Sequence, residues 1–254
     1  MQGGWRPDGW LVVLGSAGLA AWSMLALGGS GLTLPAVCSA GTSGTIPFDL
    51  ALALNSPAKL AGDWALMVTA MMSAVLIEPL RHVRQRSFAK RRPHAMLLFL
   101  VGYAAVWMVA GVALQALALT LRWAGPGPTL CLGLAAAAVL VWQVSPGKQW
   151  CLNRCHRQPS IAAFGAAADR DAFHFGLTNG TACVGACWAL MLLPLFAGEG
   201  HLAAMLAVTL FIFAERLEGP APLAWRWRGG GKALRIIAAR ARPQWTSHNH
   251  IMET

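Results

Sequence analysis

Two pairs of cysteines with the same spacing are the strongest chemical signal in the sequence. Cys151 and Cys155 form one C-x3-C pair, and Cys183 and Cys187 form a second. Residues four apart share one face of a helix, so each pair predicts two sulfurs one turn apart. Such sulfurs can bind one metal ion or exchange with a substrate disulfide, and with His156 the first pair has a third candidate ligand. Buried cysteines that merely pack as small apolar side chains are the alternative.

The second pair belongs to a stripe of soft ligands on one predicted helix. At about 100° per residue, Cys183, Cys187 and Met191 fall on one narrow face. Gly176 and Gly180 form a G-x3-G on the neighbouring edge, which lets another helix approach closely. Thiolate and thioether ligands favour Cu(I), while small-residue helix packing explains the same stripe without a metal. Both interpretations stay open at the level of the sequence.

A second predicted helix offers further candidate ligands. Asp63, Met67, Met71 and Glu78 fall within an arc of roughly 80° on one helix face, with Met72 beside them. Acidic side chains inside a membrane are costly and usually face a cavity or a partner. Methionine is also a common filler of apolar cores. Met71, Met72 and Met191 are therefore second-tier candidates after the four cysteines.

The composition determines where such a site would lie. The chain has 254 residues, of which 56% are hydrophobic and only 12% charged, and its mean hydropathy is +0.52. Soluble domains usually carry about 25% charged residues, and disordered chains are poor in apolar residues. A water-soluble enzyme and a disordered chain are both excluded. The sequence predicts an all-α, polytopic helical membrane protein.

Apolar stretches and positive charges together predict the topology. About six stretches approach the roughly 20 residues that a bilayer core requires, at about 10–28, 60–80, 95–121, 129–144, 177–197 and 202–217. Of the 20 lysines and arginines, only Lys59 and Arg122 fall on one side in this arrangement. The positive-inside rule then places both termini in the cytoplasm. The net charge of +10 needs no nucleic-acid partner, and we expect a bacterial inner membrane protein.

Three regions follow from this topology. Residues 1–59 comprise the first transmembrane helix and an outer loop. Residues 60–218 form a metal-binding-like membrane domain of five transmembrane helices, with a cytoplasmic loop at 145–176 that carries the first cysteine pair. Residues 219–254 form a basic cytoplasmic tail. That tail is either an amphipathic helix on anionic lipid headgroups or a solvated segment.

The run from Cys151 to Met191 resembles a known family. It reads C-L-x-x-C at 151–155 and G-x3-G-x2-C-x-G-x-C-W-x-L-M at 176–191, after P-G-K at 146–148 and before Glu215-Arg216. Residues from about 60 to 218 are similar to the domain-of-unknown-function family 2182, predicted metal-binding integral membrane proteins. The resemblance implies metal binding but names neither the metal nor a reaction. The chain departs from the family at Ala186, where a cysteine is typical.

Three classes of function agree with these features. A metal-handling membrane protein for a soft metal is favoured, with copper preferred and zinc an alternative through the cysteines and His156. It would transport copper, chaperone it or mature a partner metalloenzyme. A non-catalytic membrane subunit or scaffold is the second class. A thiol-disulfide oxidoreductase is third, because the first pair is predicted on the reducing cytoplasmic side. No residue is assigned a catalytic role, and we do not expect an enzyme.

Overall fold

The computed structural model describes residues 9–27, 56–124, 127–227, 231–232 and 235–236. Within these ranges the chain forms eight α-helices and no strand. Their bounds are α1 Gly9–Leu27, α2 Pro57–Met72, α3 Ile77–Arg86, α4 Arg92–Trp123, α5 Pro128–Val144, α6 Pro146–Cys155, α7 Gly165–Phe196 and α8 His201–Leu217. The predicted outer loop between α1 and α2, and most of the basic tail, lie outside the described residues.

Four helical stretches are long and apolar enough to cross a membrane: α1, α4, α7, and α8 with the short turn before it. Two further pairs qualify only when each is counted as one bent span, with α2 and α3 meeting at 81° and α5 and α6 at 69°. The predicted all-helical class with several apolar spans is confirmed. The orientation of the termini stays a prediction.

The single continuous helix predicted at 60–80 is wrong, because the chain turns by 81° between Met72 and Ile77. Pro79 has no amide hydrogen, and its ring would collide with the carbonyl of Val75 in a continuous helix. The helix therefore stops, and α3 starts again in a new direction. Glu78 consequently lies on α3, where it pairs with Arg81 at 2.9 Å. It does not share a helix face with the methionines of α2.

The segment 145–176, predicted as a loop, instead contains α6 and the first turns of α7. Ser145 caps α6 by accepting a hydrogen bond from the backbone N–H of Lys148 at 3.1 Å. Pro146 follows at the first helical position, where its missing N–H costs nothing. α6 then packs along α7 and buries Cys151 and Leu152. The first cysteine pair is therefore held on a helix rather than on a loop.

α7 lies at the centre of the bundle and packs against α4, α5, α6 and α8. Its approach to α4 is close enough to exclude side chains. A Cβ on Gly176 would lie 2.2 Å from the carbonyl oxygen of Phe99, and one on Gly180 would lie 3.3 Å from the Cα of Tyr103. The close helix contact predicted from the G-x3-G is confirmed, and α4 is the partner. This contact determines which face of α7 turns toward α4.

Candidate metal site

α7 places Cys183 and Cys187 in the interior of the bundle. Their exposed fractions are 0% and 1%, and their thiols are close enough to hydrogen-bond to each other. The hydroxyl of Tyr103 on α4 donates a hydrogen bond to the Cys183 sulfur at 3.2 Å. The pair is thus a two-sulfur group, shielded from the surroundings, with a polar donor directed at one sulfur.

α6 brings Cys151 directly onto the turn between these two cysteines. A Cβ on Gly185 would lie only 2.5 Å from the Cys151 sulfur. The indole N–H of Trp142 holds the same turn by donating to the carbonyl oxygen of Gly185 at 2.9 Å. This contact explains why a glycine stands in the middle of the C-x-G-x-C sequence, because a side chain there would push Cys151 away.

Cys155, at the last residue of α6, completes the group. It is half-buried and close enough to Cys183 and Cys151 to interact with both electrostatically. The two C-x3-C pairs, which the sequence could not connect, therefore meet where α6 crosses α7. None of the five cysteines of the described residues, Cys131 on α5 included, forms a disulfide.

Arg216, near the end of α8, directs its guanidinium at this group. The groups within electrostatic range of it include Cys183, Cys155, Cys187 and Tyr103. Its Nε and Nη2 atoms are buried and have no hydrogen-bond partner within the part of the chain described. Arg216 follows Glu215 in the sequence, but among the described residues Glu215 pairs with Lys148 and not with Arg216.

Glu215 instead forms a buried ion pair with Lys148. The Lys148 Nζ and Glu215 Oε1 atoms are 2.8 Å apart, and the side chains are 1% and 2% exposed. Gln143 on α5 joins both, since its amide N–H donates to Glu215 and its carbonyl oxygen accepts from Lys148. The network fastens together α5, α6 and α8 beside the cysteines. Helix periodicity could not reveal it, because its members come from three separate helices.

Asn153 and Gln149 hold α6 from the side opposite α7. The Asn153 side chain donates to the carbonyl oxygen of Ala221 at 2.7 Å and accepts from the Ala221 N–H at 3.1 Å. Gln149 donates to the same carbonyl oxygen at 3.1 Å. The segment after α8 is thereby tied to α6. The helix that carries Cys151 and Cys155 is fixed on two sides.

His156 is beside the cysteines but engaged elsewhere. Its Nδ1 lies 2.9 Å from the carbonyl oxygen of Leu152, and its Nε2 lies 3.3 Å from that of Arg216. Binding a metal would require the ring to give up one of these contacts. In this conformation His156 links the ends of α6 and α8.

The candidate methionines are all fully buried but lie in different places. Met191 follows Cys187 by one turn on α7 and belongs to the same stripe. Met71 and Met72 are on α2, which packs against α1, α4 and α8. Burial in the common core is shared by all three, so burial alone does not distinguish a ligand from a packing residue.

The donor set determines which metals suit the site. Within the described residues, no group of three or more histidine, cysteine or acidic side chains is arranged closely enough to hold a metal ion. A tetrahedral zinc site needs four such ligands. Two adjacent soft sulfurs, as at Cys183 and Cys187, are the ligand type that Cu(I) prefers.

Comparison with known families agrees with this chemistry. A family model described as PpoB2, copper chaperone, matches residues 61–238. The chain belongs to the PpoB2 copper chaperone family. The match includes all four paired cysteines and Arg216, and it begins within one residue of the predicted metal-binding-like domain. The copper preference predicted from sulfur chemistry is confirmed for the family, and the ligand residues remain a prediction. No curated protein and no solved structure matches the chain.

Proposed function

We propose that this PpoB2 protein is a membrane-embedded copper chaperone that binds Cu(I) through Cys183 and Cys187 and passes it to a partner metalloenzyme. The observation that carries the proposal is the meeting of the two cysteine pairs where α6 crosses α7. Membership of a copper chaperone family supports the identity of the metal. The apolar helices support the location in a membrane.

Burial assigns different tasks to the two pairs. Cys183 and Cys187 are 0% and 1% exposed, Cys151 is 8% exposed, and Cys155 is half-buried. Free Cu(I) disproportionates in water and is oxidised by oxygen, so a site that holds it is best placed at the most buried sulfurs. A release site must be reached by the acceptor. Cys183 and Cys187 therefore hold the ion, and Cys151 and Cys155 release it.

Transfer proceeds by exchange of sulfur ligands. An incoming thiolate bonds to the copper before the outgoing thiolate leaves, so the ion remains Cu(I) and no electron is moved. Cys151 is placed for the first exchange because its sulfur touches the turn between the holding cysteines. Cys155 is placed for the last exchange, since it is the most exposed of the four. The partner then supplies the accepting ligands.

Metal analysis of the full-length, detergent-purified protein tests the holding site. Cells are supplied with copper, and the protein is purified under reducing conditions as wild type, Cys183→Ser/Cys187→Ser and Cys131→Ala. Cys131 is a buried cysteine outside both pairs, so its replacement controls for loss of a core thiol. We expect near-stoichiometric copper in wild type and in the control, and none in the double variant.

Release is tested with a water-soluble chromogenic Cu(I) chelator as the acceptor. Cys151→Ser/Cys155→Ser should still bind copper but release it more slowly than wild type. Negligible copper in the wild-type protein would overturn the chaperone proposal, as would full retention of copper without Cys183 and Cys187. Either result would favour a scaffold, which should keep its complex when all four cysteines are replaced by alanine.

A further inference from the structure

The charged groups buried beside the cysteines do not cancel one another. Lys148 and Glu215 form a closed ion pair at 2.8 Å, with Gln143 satisfying both. The pair is neutral as a whole. Arg216 remains, and its strongest electrostatic neighbours are thiols and a phenol rather than a carboxylate. With the thiols and the phenol protonated, the centre carries one excess positive charge.

Arg216 is half-buried and contacts the thiols of Cys183 and Cys155, and a guanidinium with buried, unpaired N–H groups is costly unless a compensating group is present. The Nε and Nη2 atoms of Arg216 are buried and lack hydrogen-bond partners among the described residues. Both nitrogen atoms carry N–H donors and cannot accept a hydrogen bond. Cys183, Cys155 and Cys187 lie around them, and only a deprotonated sulfur can supply a negative charge there. The guanidinium of Arg216 is thus positioned to donate hydrogen bonds to an anion formed by these sulfurs and to neutralise its charge.

Charge counting identifies the anion that fits. Cu(I) bound by two thiolates carries one negative charge, whereas Cu(I) bound by three thiolates carries two. Zn²⁺ is neutral with two thiolates, carries one negative charge with three and two with four. Within the described residues no group of three such ligands is arranged to hold a metal ion, and among two-thiolate complexes only that of Cu(I) brings the centre to zero net charge. On binding, two thiols lose their protons to the buffer and two sulfur–copper bonds form.

We propose that Arg216 is the counter-ion of an anionic Cu(I) dithiolate, and that it selects both monovalent copper and two-coordinate binding. This inference rests on the proposed function, since it takes the cysteines to be the copper ligands. It adds a specificity-determining residue that touches the sulfurs rather than the metal. The ion pair of Lys148 with Glu215 contributes by keeping the neighbouring acid away from the guanidinium.

The test measures Cu(I) and Zn²⁺ affinities of the full-length protein by competition with chromogenic chelators under anaerobic, reducing conditions. Arg216→Met removes the charge, Arg216→Lys retains it, and Arg91→Met is the control. Arg91 is also partly buried but pairs with Asp169 at 2.6 Å. We expect Arg216→Met to weaken Cu(I) binding about a hundredfold without weakening Zn²⁺ binding. Arg216→Lys should remain within about tenfold of wild type.

The outcomes separate this inference from the proposed function. Equal loss of both metals in Arg216→Met, or no loss of Cu(I), would overturn the role of Arg216 while copper binding by the wild type stands. Absence of Cu(I) binding by the wild type would overturn both. X-ray absorption of the copper-loaded wild type gives a measurement that needs no variant. Two sulfur neighbours around copper are expected, and three would contradict the proposal even if Arg216→Met failed to fold.

Discussion

The sulfur of Cys151 and the backbone of Gly185 are in such close contact that a methyl group on Gly185 would lie 2.5 Å from that sulfur. Gly185 stands between Cys183 and Cys187, so this contact is what joins the two cysteine pairs. Non-bonded carbon and sulfur atoms do not approach so closely without displacement. The relative position of α6 and α7 therefore depends on the absence of a side chain at one residue.

Gly185→Ala should separate the pairs. Overpacking of this kind typically lowers the free energy of unfolding by about 1–3 kcal/mol. Copper release should also slow, because the added methyl group pushes Cys151 away from the holding cysteines. In Gly185→Ala/Cys151→Ala the space is restored, so thermal stability should recover while release stays slow. Gly133→Ala on α5 is the matched control, since nothing lies within 4 Å of its added methyl group. An unchanged melting temperature in Gly185→Ala would contradict the packing described.

Tyr103→Phe should weaken copper binding without disturbing the fold. The phenol donates to the Cys183 sulfur at 3.2 Å, and a hydrogen bond of this kind contributes about 1 kcal/mol. We expect a Cu(I) affinity lowered about fivefold, measured by chelator competition. Thr181→Val on α7, the helix of Cys183, controls for loss of a hydroxyl, because the exposed Thr181 hydroxyl donates to the Leu177 carbonyl oxygen of its own helix. Equal effects of the two variants would remove Tyr103 from the site.

The long apolar helices could be predicted from the sequence, because a helix that crosses a membrane needs about 20 consecutive apolar residues and such a run is visible in the sequence itself. The stretch predicted at 95–121 is the helix Arg92–Trp123, and that predicted at 202–217 is His201–Leu217. The break inside the stretch 60–80 and the helix α6 were missed although their signals were present. Pro79 marks one break, and Ser145 followed by Pro146 marks the start of α6. Apolar length outweighed the signal at Pro79, and the polar segment after residue 144 was predicted as a loop.

The arrangement of the site was predicted only in part, for a different physical reason. Helix periodicity placed Cys183 beside Cys187, and Cys151 beside Cys155, because each pair is local. It could not show that Arg216 faces these sulfurs or that Glu215 pairs with Lys148. Those contacts depend on how separate helices pack, and no local pattern encodes a crossing between α6, α7 and α8.

Gly176→Ala should loosen the contact between α4 and α7. The added methyl group would lie 2.2 Å from the carbonyl oxygen of Phe99, and a backbone atom cannot move aside as a flexible side chain can. We expect a loss of about 3 kcal/mol in the free energy of unfolding, measured by denaturation in detergent. Gly62→Ala on α2, where nothing lies within 4 Å, should not be destabilised. Similar behaviour of both variants would argue against the close helix contact.

Lys148 and Glu215 should show strong coupling in a double-mutant cycle. Removing one partner of a buried pair typically costs about 3–5 kcal/mol because a charge is left unpaired. Lys148→Met and Glu215→Gln should each be destabilised to that extent, while the double variant should lose less than the sum. Unfolding in detergent gives all four free energies. As a control, the exposed pair of Arg81 with Glu78 should show a coupling of no more than about 1 kcal/mol. Additive effects at Lys148 and Glu215 would contradict the buried pair.

Replacing methionines by leucine should distinguish a ligand from a core residue. Leucine conserves volume and usually costs less than about 1.5 kcal/mol, but it has no sulfur. Met191→Leu should leave the Cu(I) affinity unchanged because the proposed site binds copper through two thiolates alone, although Met191 lies one turn after Cys187 on the same stripe of α7. Met71→Leu/Met72→Leu should leave the affinity unchanged, since α2 packs against α1, α4 and α8. Chelator competition measures each affinity, with melting temperatures confirming that the core is intact. Loss of copper in the double variant would instead place Met71 or Met72 among the ligands. A lowered affinity in Met191→Leu would add a thioether to Cys183 and Cys187 and would contradict binding by two sulfurs.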